Sequence, residues 1–131
     1  MEVRERIMTP IKVFDSVVIS AGGEALSEVI NLPAYASVGY YSLEVKIEGS
    51  GTVNIDYLSS NNKDSSRVML KPEGEGYIIT GATATNGNQS DGTQIINYSS
   101  IASIFKQIRA TETGGVSTAT ITGYLCIVGM G

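Results

Sequence analysis

Apolar and polar residues alternate one by one over much of this chain. The clearest run has apolar residues at every second position, at Tyr41, Leu43, Val45 and Ile47. Because successive side chains of a β-strand point to opposite faces, this run predicts a strand with one buried face. The alternation resumes at Val53 after a glycine-containing turn over 49–51. We therefore expect the two runs to pair as a hairpin closed by that turn.

A second pair of runs closes the chain in the same way. A strand predicted over 104–111 leads through Gly114 and Gly115 into a threonine-rich run over 118–128. Within that last run one face carries apolar residues, and the other carries the threonines and Tyr124. We expect these two strands to form a second hairpin with the threonine face exposed.

The remaining apolar runs are short and are interpreted as strands over 11–19, 26–32, 67–70, 77–80 and 93–98. No segment has a sustained helical stripe with caps at both ends. Short strands separated by glycine-rich turns are typical of an all-β fold. We predict an antiparallel β-sandwich that is jelly-roll-like and has an extended N-terminal arm. The arm occupies residues 1–10, and a single sandwich domain occupies residues 11–131.

The length and the net charge of the chain limit the classes of binding partner that we expect. With 131 residues the chain has the size of one domain. Nine Lys and Arg against thirteen Asp and Glu give a net charge of −4. Since binding to phosphate backbones needs clustered cations, we expect no nucleic-acid partner. No stretch approaches the roughly 18 consecutive apolar residues of a membrane-spanning helix, so we expect no membrane span.

The residue types that serve most often in active sites are scarce. The chain has no His, which removes the commonest general base near neutral pH and the commonest metal ligand. Its one cysteine, Cys126, can form neither an internal disulfide nor a zinc site, and we interpret it as a buried structural thiol. We therefore expect no enzyme and no cofactor. Only 17% of residues are charged, which is low for a small monomer and indicates that part of the surface meets another chain.

Two loops are rich in the oxygen ligands that Ca²⁺ prefers. One carries Asn86, Asn88 and Asp91, and the other carries Asn61, Asn62 and Asp64. The spacing in the first loop does not match an EF-hand, because position 97 is Asn where a bidentate Glu is required. We favour solvated turns without a metal for both loops, with Ca²⁺ bound by the loop over 82–92 as the alternative.

The acidic residues form no convincing catalytic pair. Glu44 and Glu48 point outward on the first predicted strand beside Lys46, and Asp56 points outward on the next one. Glycoside hydrolysis needs two carboxyl groups about 5 to 9.5 Å apart across a cleft. We interpret these residues instead as a solvated sheet face on which Lys46 and Asp56 pair across the two strands.

Outward-pointing tyrosines are the best candidates for contacts. Tyr41 and Tyr57 fall in the inward phase and are predicted to lie in the core, whereas Tyr40 and Tyr124 fall in the outward phase. Tyr is enriched at protein interfaces. Exposed aromatic rings also serve as platforms for sugars, so this pair fits either an interface or a glycan site.

The two alternating pairs also resemble a known group of proteins. The stretches YYSLEVKIEGSGTVNIDYLSS over 40–60 and IRATETGGVSTATITGYLCIV over 108–128 are similar to small virion proteins of tailed bacteriophages. In that group a strand pair closed by a glycine turn is followed by a late strand, a glycine loop and a threonine-rich final strand. The resemblance spans residues 39–128. This chain lacks the tryptophans often present in the group, and its first 32 residues have no counterpart there.

The resemblance implies a β-sandwich component of a phage particle. We predict a non-enzymatic virion protein, made in the host cytoplasm, that acts as a capsid decoration or cement protein. It would self-associate, with a trimer favoured, and bind the major capsid protein or another virion protein. The predicted contact residues are Val3, Ile7, Met8, Ile11, Tyr40 and Tyr124. The alternatives are a tail or neck accessory protein, and a carbohydrate-binding module or adhesin tip that holds a glycan with the loop over 82–92 and the outward tyrosines.

Overall fold

The structure is a computed structural model that describes residues 6–32 and 40–130, with the backbone alone described for residues 6–9 and 128–130. The described residues form nine β-strands and no α-helix. The strands are β1 (Arg6–Ile19), β2 (Glu24–Leu26), β3 (Ile30–Asn31), β4 (Tyr40–Gly49), β5 (Val53–Ser60), β6 (Ile79–Ala82), β7 (Thr93–Ser99), β8 (Phe105–Glu112) and β9 (Ala119–Met130).

These strands form two antiparallel sheets. Sheet A has the order β1, β9, β4, β7, and sheet B has the order β2, β8, β5, β6, with β3 also pairing with β8. Since β2 and β3 pair with successive parts of β8, they are two pieces of one edge strand. Strand pairs are nested along the chain, with β1 on β9, β2 and β3 on β8, β4 on β7, and β5 on β6. Two four-stranded layers wound in this way make a jelly roll, so the predicted fold class is confirmed.

Both predicted hairpins are wrong. β4 belongs to sheet A and β5 to sheet B, and β9 and β8 are divided in the same way. Each glycine loop therefore crosses between the sheets, and the two loops meet where the Gly51 N–H donates to the Thr118 carbonyl at 2.9 Å. A Cβ on Gly49 or on Gly51 would come 3.0 Å from backbone atoms of Thr118. Glycine is needed here because two backbones approach closely.

The core lies between the sheets and contains the residues that the alternation placed inward. Tyr41, Leu43, Val45 and Ile47 of β4 are all buried, as are Val53, Ile55 and Tyr57 of β5. From β9 the core receives Ala119, Ile121, Leu125 and Ile127. Strand phase is thus as predicted, although the pairing partners are not.

Several shorter strands differ from their predictions. The run over 67–70 forms no strand, and only Leu70 makes an isolated bridge, to Ser59. The strand expected over 26–32 is divided into β2 and β3. These segments lie at the edges of sheet B, where pairing on one side leaves the backbone less constrained.

β1 begins earlier than predicted. The strand expected from Ile11 begins at Arg6, and residues 6–10 pair with residues 126–130 of β9. The second half of the predicted arm is therefore a sheet strand, because β9 is long enough to offer it a partner. The first half, residues 1–5, lies outside the described residues.

The middle of β1 is irregular. Its register with β9 shifts between Lys12 and Phe14 and again between Phe14 and Val17. Ser16 has a φ of 48°, and its N–H donates to Thr122 Oγ1 at 3.2 Å. The extra residues form a bulge, a feature that is common at sheet edges.

Candidate interaction surface

The six predicted contact residues have different environments. Val3 lies outside the described residues, and Ile7 and Met8 lie in β1, where the backbone alone is described. Ile11 is half-buried and packs against the core. Tyr40 of β4 and Tyr124 of β9 are exposed to 67% and 41%. The two tyrosines are therefore the members of the set that the structure places on the open surface.

Tyr124 belongs to a row of side chains that crosses all four strands of sheet A on its outer face. The strand register places Lys12 on one side of it, and Glu44 and then Ile95 on the other. Lys12 Nζ lies 5.6 Å from the centroid of the Tyr124 ring. Ile95 is 67% exposed. The row thus presents two large apolar side chains to solvent, beside one cation and one carboxylate.

A depression of about 440 Å³ opens beside this row, where β4 begins and β7 ends. It is lined by Tyr40, Tyr41, Ser42, Asn97, Tyr98, Ser99 and Cys126. The rings of Tyr41 and Tyr98 stack with centroids 5.2 Å apart, and the Tyr57 ring stacks on Tyr98 at 5.9 Å. Burial raises the pKa of Tyr98, so its hydroxyl stays protonated at physiological pH.

The lining of this depression is suited to binding rather than to reaction. It consists of tyrosines, two serines, one amide and one thiol, and none of these lining side chains is a carboxylate or an amine. The thiol of Cys126 is half-buried, so the prediction of a buried thiol is wrong. Without a neighbouring base the lining holds no pair suited to nucleophilic catalysis.

Asp56 has neither of the two properties predicted for it. Its side chain is buried, and it does not pair with Lys46, because β4 and β5 lie in different sheets. The Arg109 guanidinium, directly opposite on β8, donates two hydrogen bonds to the Asp56 carboxylate at 2.9 and 2.7 Å. Lys71 Nζ lies 3.4 Å from the same carboxylate. The hydrogen bond to Asp56 raises the pKa of Arg109. We interpret the cluster of Asp56, Arg109 and Lys71 as structural.

Glu112, at the end of β8, is buried and is not among the residues predicted to be functional. Its Oε1 accepts hydrogen bonds from the N–H groups of Gly22 at 2.9 Å and Gly115 at 2.7 Å. Its Oε2 accepts from Thr52 at 2.9 Å and Gly114 at 2.8 Å. These backbone hydrogen bonds lower the pKa of Glu112 to about 2. The donors come from three loops that connect the two sheets. Glu112 therefore holds these three loops together at one end of the sandwich.

Lys106 is a second buried charge on β8, toward its other end. Its Nζ donates to Ser59 Oγ at 2.9 Å and to the Ile101 carbonyl at 2.7 Å, and lies 4.6 Å from the Tyr57 ring centroid. Burial lowers the pKa of Lys106 to about 8. A signal for both charges was present in the sequence, because Lys106 and Glu112 share the inward phase of Ile108.

The oxygen-rich loops use their side chains to form turns. Asn86 Oδ1 accepts from the Thr83 N–H at 3.0 Å, and Asp91 Oδ1 accepts from the Thr93 N–H at 2.9 Å. Asn62 Oδ1 accepts in the same way from the Asp64 N–H at 2.9 Å. Within residues 6–32 and 40–130 no three His, Cys, Asp or Glu side chains are grouped as metal ligands.

Comparisons with known proteins assign no family to the chain. Neither a family model nor a curated protein matches it. One similar solved structure is that of infectious bursal disease virus Gx strain, with 14% identity and a TM-score of 0.41 over 97% of this chain and 32% of that chain. Another is Aeromonas hydrophila PliG, a periplasmic lysozyme inhibitor of g-type lysozyme, with 12% identity and a TM-score of 0.35 over 95% and 85%.

The chain spans about a third of the length of the first of these proteins. Likeness at this level assigns neither an activity nor a partner. Of the part of the chain that the structure describes, no helix is long and apolar enough to cross a membrane.

Proposed function

We propose that this chain is a non-enzymatic structural protein of a bacteriophage virion, and specifically a capsid decoration protein that self-associates and binds the capsid lattice. The observation that carries the proposal is the outer face of sheet A. It exposes Tyr40, Tyr124 and Ile95 on regular strands, beside charged side chains of both signs at Lys12, Glu44, Lys46 and Glu48. The sequence resemblance to phage virion proteins supports the same assignment.

The mechanism is burial of this face against other protein. Removing apolar surface from water contributes roughly 25 cal/mol per Å², which the loss of translational and rotational freedom offsets in part. Tyr is a frequent anchor of interfaces because its ring is large and its hydroxyl finds a partner. On a symmetric shell many copies bind at once, and their avidity exceeds the affinity of a single contact.

Co-sedimentation tests the binding to a capsid. Undecorated shells of the phage that encodes this chain are mixed with the purified protein and pelleted, and the bound copies are counted per capsid subunit. We expect saturable binding at a fixed ratio, lowered by Tyr124→Ser and unchanged by the control Thr118→Ser, which alters an exposed residue next to β9. Absence of the chain from the pellet at saturating concentration would contradict the proposal.

A carbohydrate-binding role is the second candidate, and the depression at the end of sheet A favours it. The depression combines the exposed ring of Tyr40 with the hydroxyl and amide groups of Ser42 and Asn97. A glycan array probed with the labelled chain discriminates the two roles. Saturable binding to one sugar class, abolished by Tyr40→Ser, would favour the glycan role, and a blank array would favour the virion role.

A further inference from the structure

β7 differs from the other edge strands of the two sheets. β1 contains Pro10 and two register shifts, and β6 has four residues and one register shift. The remaining edge is broken into β2 and β3, of three and two residues. In contrast, β7 has seven residues and pairs with β4 in an unbroken register. Within the described sheets, β7 is the long and regular edge.

The sequence of β7 also lacks the residues that protect an edge. Natural proteins discourage pairing between molecules by placing charges, Pro or bulges on edge strands. β7 reads TQIINYS and contains neither a charge nor Pro nor Gly. Two of its residues, Ile95 and Ile96, are exposed to 67% and 39%. A strand of this composition favours pairing with another strand.

Hydrogen bonds at the start of β7 show which backbone groups face outward. The Gly92 carbonyl points toward β4 and accepts a hydrogen bond from the Ile47 N–H. The Thr93 carbonyl points away from β4 and accepts a hydrogen bond from the Asn88 N–H. Because this direction alternates along an antiparallel strand, the N–H and C=O groups of Ile95, Asn97 and Ser99 point away from β4. No backbone hydrogen bond from a described loop reaches these three residues.

We propose that β7 pairs antiparallel with β7 of a second copy, across a two-fold axis at Asn97. This register places Ile95 opposite the partner's Ser99 and makes three hydrogen-bonded pairs of two bonds each. It uses all the outward groups of Ile95, Asn97 and Ser99. The pairing stops before Thr93, whose own N–H and C=O are already bonded to Asp91 and Asn88.

The chemistry of the edge favours a second copy over a different partner. The strand is uncharged, so pairing it with itself brings no like charges together. On the inner face Ile96 comes opposite the partner's Tyr98, which covers an exposed isoleucine with an aromatic ring. A head-to-tail ring would need β7 to pair with one of the interrupted edges. The inference rests on the proposed self-association and specifies its contact, giving a two-fold pair where the sequence favoured a trimer.

Cross-linking tests the register. In a Cys126→Ser background, Asn97→Cys brings two thiols together at the axis, because the Cα atoms of a hydrogen-bonded pair are about 5.5 Å apart and disulfides span about 4.4 to 6.8 Å. We expect a disulfide-linked dimer under mild oxidation. The matched control is Ile95→Cys on the same strand. Its thiols lie four residues out of register, roughly 13 Å apart, and do not cross-link.

A proline variant tests the hydrogen bonds without cysteine. Asn97→Pro removes an N–H that points away from β4, so the sandwich keeps its melting temperature but loses its dimer in sedimentation velocity. If the chain associates, Asn97→Pro keeps the dimer and Asn97→Cys gives no cross-link, the edge inference is wrong, while the proposed function stands on another surface. A chain that stays single at all concentrations overturns the edge inference, and shell binding alone then decides the proposed function.

Discussion

The two sheets of this sandwich use their polar and apolar residues in opposite ways. The buried charges of the described chain, Asp56, Lys106 and Glu112, all lie on β5 and β8 of sheet B. Sheet A has only exposed charges among its described side chains. Among the described side chains, the exposed large apolar residues on strands are distributed the other way, with five on sheet A (Val18, Tyr40, Ile95, Ile96 and Tyr124) and one on sheet B (Leu26).

From this difference we expect sheet B to determine the stability of the fold and sheet A to determine association with other molecules. In sheet B each buried charge has its hydrogen-bond partners within the chain, so none of these charges needs a partner from another molecule. In sheet A the regular strands leave apolar side chains and one uncharged edge open to solvent. Substitutions in sheet B should therefore change the free energy of unfolding, and substitutions on the outer face of sheet A should change association.

Glu112→Gln is the strongest test of the sheet B half of this comparison. Each oxygen of the carboxylate accepts two N–H groups, and the amide of Gln would turn its own NH₂ toward two of these four donors. Leaving buried donors unsatisfied is costly. We expect the largest fall in melting temperature of the variants considered, measured by circular dichroism, with exposed Glu48→Gln as the control.

The stability of Glu112→Gln should also depend on pH differently from that of the wild type. The folded-state pKa of Glu112, about 2, is below its usual value of 4.5, so its stabilisation is complete above about pH 4.5 and is lost as pH falls toward 2. Glu112→Gln should lose less stability than the wild type over that interval. Parallel acid denaturation curves of the two proteins would contradict this assignment.

Asp56→Asn tests the outer face of sheet B. It leaves Arg109 and Lys71 without their shared carboxylate, although both cations reach solvent. We expect a loss of about 2 kcal/mol in urea unfolding, less than for a fully buried pair. Asp15→Asn removes an ion pair with Lys12 whose carboxylate side chain is 76% exposed, and it should leave the unfolding curve unchanged. Equal losses of unfolding free energy for the two variants would contradict the difference between the buried charges of sheet B and the exposed charges of sheet A.

Lys106→Met addresses the smaller contribution of a buried cation. Because the folded-state pKa is about 8 and the usual value is 10.5, the unfolded chain holds a proton that the folded chain releases. Wild-type stability should gain a rising contribution between pH 8 and pH 9.5, and Lys106→Met should lack it. Urea unfolding at both pH values checks this, with exposed Lys46→Met as the control. The same pH slope in the Met variant would show that Lys106 is not the titrating group.

Tyr124→Ser should have the smallest effect on stability. An exposed residue on a strand contributes little to folding, so the free energy of unfolding should change by less than about 1 kcal/mol. Binding to undecorated shells should weaken by about tenfold or more, because the ring is the proposed anchor of that contact. Co-sedimentation measures this, with Thr122→Ser on the same strand as the control. Weakening by both variants alike would argue against a specific anchor.

Strand phase was predictable from the sequence because alternation depends only on which face is buried. Pairing was not, since a hairpin and a crossing between sheets place the same residues of β4 and β5 in the core. The glycines over 49–51 marked the turn correctly but did not indicate its direction. That direction depends on the approach of Thr118, which is distant in sequence.

The buried charges were partly visible in the sequence. Lys106 and Glu112 are at inward positions of β8, so their burial follows from the phase of that strand. Asp56 is on the outward phase and is buried by Arg109 and Lys71, which contact it only after folding. The exposed edge of β7 was not predictable, because Ile95 and Ile96 break the alternation and the sheet order decides which strand is last.

Light scattering of the unmodified chain over a range of concentrations tests whether the chain binds a second copy, as the proposed pairing of β7 edges requires. We expect a weight-average mass that rises from the 13.8 kDa of one chain toward twice that value as concentration increases. A mass that stays at 13.8 kDa up to the solubility limit would contradict it.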